Sequence, residues 1–470
     1  MKQKSIVAIL FIYFACVTSS FAQPKYIFYL IGDGMGLNHV NLTEIFEAET
    51  KNKVGYQNSI LTKFPHVGFA STNSLSHGVT DSGAGGTALA VGKKTRNGNI
   101  GTDSTGTIPY KSIAFAAKEK GLKVGITTSV SIDHATPASF YAHQPSRSNY
   151  YEIAAEILKS NFDFFAGAGF LKPTTTFDKK EVEDIHAVIE KGGYKIIRGK
   201  NGFDANKFKG QKTVWINDQP TQFESLKYAI DQEPTDMALA DITKGAIAAL
   251  TKDNKKGFFL MVEGGKIDWS SHSNDAATTI REVQDFHKTI QLAYEFYQKH
   301  PKETLIVVTA DHETGGLAIG NGSSKLNTQA LAYQKVSQGT LSSLVGNLRK
   351  DKPNATWDDV KNVIAENTGL WSKVKITEAD EKVLREAYEK SFINHENETS
   401  KSLYANDDKI ASLSINILNR IASVGWASSN HSAAYVPVYA IGEGATLFNH
   451  KMDNTDIPKK IAQAAQLNFL

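Results

Sequence analysis

Five short runs of apolar residues punctuate the chain: Tyr26–Ile31, Val124–Val130, Phe258–Val262, Leu305–Ala310 and Tyr435–Ile441. Their length and continuity predict strands buried on both faces. Between them apolar positions recur at helical spacing, most clearly over Thr279–Lys299, where Ile280, Val283, Phe286, Ile290, Leu292, Ala293 and Phe296 trace one face. Ser112–Lys120 and Thr235–Leu250 repeat the pattern. Strand and helix in alternation predict an α/β fold with a largely parallel central sheet flanked by helices. Two regions break this regularity. Residues 171–232 are polar and turn-rich, and residues 320–427 carry a charged helical stretch, Glu378–Lys390, and an Asn-rich stretch, His395–Asn406. Both read as insertions over the sheet edge or the mouth of a site.

Polar residues gather where the strands end. Gly32-Asp33-Gly34 follows the first run, Asp133-His134 the second, Glu263 with Asp268 and His272 the third, and Asp311-His312-Glu313 the fourth. In parallel sheets, sites form outside the carboxyl ends of the strands. Carboxylate and imidazole mixed at such ends suit zinc, with a harder ion where oxygens dominate. A length of 470 residues would alone suggest about three domains. The candidate ligands run from Asp33 to His431, which argues instead for one catalytic domain, 23–470, with insertions at about 171–232 and 320–427.

Val79-Thr80-Asp81-Ser82-Gly83-Ala84-Gly85-Gly86-Thr87-Ala88 puts a serine at the head of a small-residue helix. A helix N-terminus suits a bound phosphate or a developing alkoxide. Taken alone, the segment is as well explained by Asp81 or Ser82 capping the helix. The G-x-S-x-G elbow of serine hydrolases is absent, since Thr80 stands at its first glycine position. Metal activation therefore explains a reactive serine better.

Lys2 and Lys4, the apolar run Ile6–Val17 and the small-residue box Ser20-Phe21-Ala22 read as an export signal cleaved after Ala22. The run is too short to span a bilayer. Removal of residues 1–22 takes the net charge from +3 to +1, so no basic surface for a nucleic acid partner is implied. Cys16 is the only cysteine and lies inside the signal, so the mature chain has neither disulfides nor thiolate ligands. The periplasm is the expected location, with secretion or a lipid anchor as alternatives; no transmembrane segment is expected in the mature chain.

Together these motifs resemble the alkaline phosphatase family. Five blocks carry the resemblance: Ile31-Gly32-Asp33-Gly34-Met35-Gly36; Thr80-Asp81-Ser82 with Thr87-Ala88; His134-Ala135-Thr136-Pro137 with Ser146-Arg147; Glu263 to His272; and Thr309 to Gly316. The two insertions lie outside it. The resemblance implies two zinc ions, one held by Asp33, Asp311 and His312, the other by Asp268, His272 and His431. It implies a magnesium ion on Asp33, Thr136 and Glu263. It further implies Ser82 as a nucleophile that forms a phosphoserine, Arg147 as the clamp on a phosphate monoester, small phosphorylated substrates and a homodimer. His431 lies just before the last strand-like run, where the family places its final zinc histidine; His395 and His450 read as solvated. Two positions depart from parts of the family. His134 stands where some members carry aspartate, and Trp269 where others carry lysine or histidine. Both are expected beside the ligands rather than on an ion, and a packing role for His134 is nearly as good.

Rival readings fit less well. A sulfatase needs a C/S-x-P-x-R box, whereas Ser82 is followed by Gly83-Ala84-Gly85-Gly86. A phosphodiesterase typically lacks the arginine clamp, and a phosphoglycerate mutase suits an exported chain poorly. A metal- or phosphate-binding protein without turnover would not need every one of these residues. A dinucleotide fold is excluded because Gly32-Asp33-Gly34-Met35-Gly36 lacks the G-x-G-x-x-G spacing.

Overall fold

In a computed structural model the structure describes residues 23–396 and 398–469; the export signal and Cys16 lie outside them. Ten strands build the main sheet: β1 (Tyr26–Gly32), β2 (His66–Ser71), β3 (Lys123–Thr128), β4 (Phe164–Ala166), β5 (Lys195–Arg198), β6 (Thr213–Ile216), β7 (Phe258–Gly264), β8 (Thr304–Thr309), β9 (Val436–Gly442) and β10 (His450–Asp453). Their order is β10-β2-β9-β8-β1-β7-β3-β4-β6-β5. All run parallel except β9, which is antiparallel to both its neighbours. The five runs expected from the apolar pattern are β1, β3, β7, β8 and β9. Every residue of β7 and β8 is buried, which is why these strands read as continuous apolar runs.

The expected helices are Ile113–Glu119, Leu239–Thr251 and Ala276–Lys299. Residues 171–232 differ from the reading as a turn-rich insertion, because β5 and β6 extend the sheet edge from within it. Residues 320–427 hold four longer helices, Gln338–Asp351, Trp357–Thr368, Glu378–Tyr388 and Lys409–Ile421. These have their own apolar core, including Val345, Trp357, Ile364, Leu384 and Leu418, which joins Leu42, Phe46 and Ile280 of neighbouring helices. Among the described residues no helix is long and apolar enough to cross a membrane.

Strand register sets the site. Ile31 of β1 pairs with Glu263 of β7 on one side and Thr309 of β8 on the other, while Thr128 of β3 pairs with Glu263. Asp33, Glu263 and Asp311 therefore emerge from adjacent strands at one end of the sheet. A short antiparallel bridge, His431 against Thr314, folds the segment before β9 onto the loop after β8.

Candidate metal centre

Four carboxylates, from Asp33, Glu263, Asp268 and Asp311, are fully buried, and His272 and His312 are nearly or fully so. Burying so many charges is costly unless cations or protons compensate. The side chains fall into three groups whose donor atoms lie within 4.8 Å of one another: Asp33, Asp311 and His312; Asp268, His272 and His431; and Asp33, His134 and Glu263. The first two are the sets expected for zinc. The third places His134, expected beside the ligands, among them. Thr136 is also there, its Oγ1 donating to Asp33 Oδ2 at 3.5 Å.

Each histidine is oriented from behind. His272 Nδ1 lies 2.6 Å from the Ser429 carbonyl and His431 Nδ1 2.8 Å from that of Thr80, so in both the Nδ1–H donates and Nε2 carries the lone pair. These two Nε2 atoms lie 3.1 Å apart, and His272 Nε2 is 3.3 Å from Asp268 Oδ1. His312 Nε2 sits 3.4 Å from both Asp33 Oδ1 and Asp311 Oδ2. Lone pairs converging in this way repel unless a cation lies between them. Asp33 Oδ1, Glu263 Oε1, Asp268 Oδ2, Asp311 Oδ2 and His134 Nδ1 are buried with no hydrogen-bond partner among the described residues. The donor sets fit the expected ions: nitrogen with oxygen in two of them, mostly oxygen in the third.

The ionisation behaviour agrees. Burial pushes Asp33 well above its ordinary range, with Asp311 and Asp268 adding repulsion. Burial, again with neighbouring carboxylates, pushes Asp311 up to about 7 and Glu263 up to about 8. For Asp268 burial acts in the same direction, but His272, His431 and His312 outweigh it and hold the carboxyl below its usual range. Burial pulls His312 well below its ordinary value, assisted by His431.

Ser82 opens the helix Ser82–Val91, and Asp81, not Ser82, caps it by accepting from the Ala84 N–H at 3.0 Å. Ser82 is fully buried and its Oγ lies 3.2 Å from His312 Nε2, against the first ligand group. The small residues behind it have steric reasons. A Cβ on Gly85 would lie 3.1 Å from the Asp311 carbonyl oxygen, and one on Gly86 would lie 3.1 Å from Thr136 Cα. Arg147 reaches the same helix end, where Nη1 donates to Asp81 Oδ2 at 3.1 Å.

Over residues 24–164 and 221–467 the sequence matches the family model described as alkaline phosphatase. The chain belongs to the alkaline phosphatase family. With that family it is a metal-dependent phosphate-monoester hydrolase. It is 33% identical to alkaline phosphatase 3 of Bacillus subtilis (strain 168) over 457 residues, 95% of this chain and 90% of that one. It is 32% identical to alkaline phosphatase 4 of the same organism over 447 residues, 93% and 87% of the two chains. Its fold is similar to that of a cold-active alkaline phosphatase from a psychrophilic Shewanella sp., with TM-score 0.77, 28% identity and coverage of 94% and 99%. It is also similar to a mutant of the TAB5 alkaline phosphatase with Mg bound in its M3 site, with TM-score 0.65, 27% identity and coverage of 95% and 99%. The match runs through 320–427, so that helical segment, expected to lie outside the resemblance, belongs to the family's framework. Residues 165–220 fall outside the match.

The site contains residues the sequence did not single out. Thr314 Oγ1 donates to Asp268 Oδ1 and Thr128 Oγ1 to Glu263 Oε2. Both lie at the ends of recognised runs, which was the available signal. Tyr404, whose hydroxyl meets Arg147 and His134, had none: it is one aromatic residue in a polar stretch. Trp269, expected beside the ligands, packs face to face on it at 4.4 Å.

Proposed function

We propose that the enzyme is an exported phosphatase working through a covalent phosphoserine at Ser82, with two zinc ions and one magnesium ion. The observation that carries this reading is the position of Ser82 Oγ, at a helix N-terminus and 3.2 Å from His312 Nε2. Asp33, Asp311 and His312 would hold one zinc, and Asp268, His272 and His431 the other. Asp33, Thr136 and Glu263 would hold magnesium, with His134 adding a nitrogen that also admits zinc; the TAB5 relatives with Mg in their M3 site are mutants in which a histidine is replaced by glutamate or aspartate. When bound, the ions supply Lewis acidity toward the Ser82 hydroxyl and the leaving oxygen.

The remaining work belongs to the chain. Arg147 spans two non-bridging phosphoryl oxygens with its planar fork, which rewards a dianionic monoester over a diester. The helix N-terminus at Ser82 offsets further charge on those oxygens. Ser82 Oγ forms a bond to phosphorus as the bond to the alcohol breaks, and the alcohol leaves with a proton. Water then cleaves the phosphoserine, releasing phosphate and returning the proton to Ser82.

Acid quench after brief incubation with labelled substrate should trap phosphate on the wild type and none on Ser82→Ala, whose turnover should collapse. Wild-type turnover in Ser82→Ala would refute the nucleophile. A strong preference for p-nitrophenyl phosphate over bis-p-nitrophenyl phosphate supports the Arg147 clamp, and a diester preference would remove it. For the export signal, the mature amino terminus should begin at Gln23.

A further inference from the structure

Tyr404 lies in the turn between two short paired strands, Thr399–Lys401 and Asn406–Asp408, in the 320–427 segment. Its ring stacks on Trp269 with centroids 4.4 Å apart and planes 15° apart, which fixes the direction of its hydroxyl. Arg147 Nη2 donates to that oxygen at 3.2 Å. His134 Nε2 completes a triangle, 3.3 Å from Tyr404 Oη and 3.3 Å from Arg147 Nη2. Across the guanidinium, Asp81 Oδ2 accepts from Nη1 at 3.1 Å. Both terminal nitrogens of Arg147 are thereby held by residues far apart in sequence.

An arginine side chain loses considerable rotamer freedom when held, so a clamp set before substrate arrives binds more tightly than one ordered on binding. Tyr404 also lines, with Phe223, Tyr228, Lys266 and Trp269, a cavity of about 1020 Å³ beside the metal groups. Its loop therefore touches both the phosphate side and the space beyond it.

We propose that Tyr404 is a positioning residue for the phosphate clamp: its hydroxyl, aimed by the stack on Trp269, holds the Arg147 guanidinium in place for the phosphoryl oxygens. This rests on the reading of Arg147 given above. Tyr404→Phe keeps the ring and removes only the oxygen, so the fold should be preserved and the melting temperature should fall by no more than about 3 °C. Loss of one hydrogen bond to a charged group predicts roughly a tenfold fall in kcat/KM for p-nitrophenyl phosphate and roughly a tenfold weaker inhibition by inorganic phosphate. Turnover of bis-p-nitrophenyl phosphate should not change. In an Arg147→Ala background Tyr404→Phe should have no further effect. The proposal is overturned if Tyr404→Phe leaves phosphate inhibition at the wild-type level, lowers both substrates equally, or keeps its full effect without Arg147. If Arg147→Ala alone leaves phosphate inhibition unchanged, the clamp itself is wrong, a result read in a different variant.

Discussion

Stripping the metals should make this protein increasingly unstable as pH rises from about 6.5 to 8. In the folded chain Glu263 ionises only at about 8, against an ordinary value of 4.5, and Asp33 is raised well above 3.8. Between the ordinary and the raised value the folded state keeps a proton that the unfolded chain has released, so stability falls with rising pH. Three site histidines oppose this lower down: burial lowers His312 and His431, and takes His134 to about 3, so each favours folding as pH climbs toward 6.5. Above that value these three no longer differ from the unfolded chain, while His272, which burial would lower but Asp268 holds above its ordinary value, loses its stabilising proton in the same direction as the carboxylates. The proton Glu263 retains over about 1.5 pH units is worth roughly 2 kcal/mol, and Asp33 adds in the same direction. Bound cations replace those protons and remove the dependence. Melting temperatures of chelator-stripped and zinc- and magnesium-loaded protein, compared at pH 6.5 and 8, should show a gap that widens by about 2 °C or more. Groups outside the site cancel in that difference. A gap that is constant, or narrower at pH 8, would refute the reasoning.

Two substitutions probe the frame around the ions. Gly34 has φ +71°, and a Cβ there would lie 2.9 Å from both Asp268 Cα and Oδ1. Gly34→Ala should therefore lower stability by about 2 kcal/mol or more and reduce the zinc content of purified protein, as melting and metal analysis would register. His134→Asp converts the third ligand group to oxygen donors only and should lower the magnesium concentration needed for half-maximal activity. An unchanged magnesium response would place His134 outside that group.

The central strands and their polar ends were legible because fully buried parallel strands are written as unbroken apolar runs, and ligands follow directly at their carboxyl ends. The outer strands were not. Lys195–Arg198 is mostly exposed and short, so nothing in its composition separates it from a loop. His431 lay in a brief motif; the two-residue bridge to Thr314 that brings it to Asp268 is long-range and leaves no local signal. The capping ambiguity at Asp81-Ser82 needed coordinates to resolve, because either side chain can cap a helix. Tyr404 acts through one hydroxyl and one stacked ring, contacts that span 257 residues to Arg147 and 135 to Trp269, so no pattern of neighbours could have revealed it.

The lone antiparallel strand, Val436–Gly442, has a consequence for how the molecule is made. It lies between Thr304–Thr309 and His66–Ser71, so the strand nearest the carboxyl terminus but one is the link that joins His66–Ser71 and His450–Asp453 to the rest of the sheet. A nascent chain lacking it leaves the edge of Thr304–Thr309 open and His66–Ser71 with no strand to join it to the sheet. Such a chain cannot close its core during synthesis, and long-range pairing of this kind is slow. Assembly of the sheet thus waits on the final stretch of polypeptide.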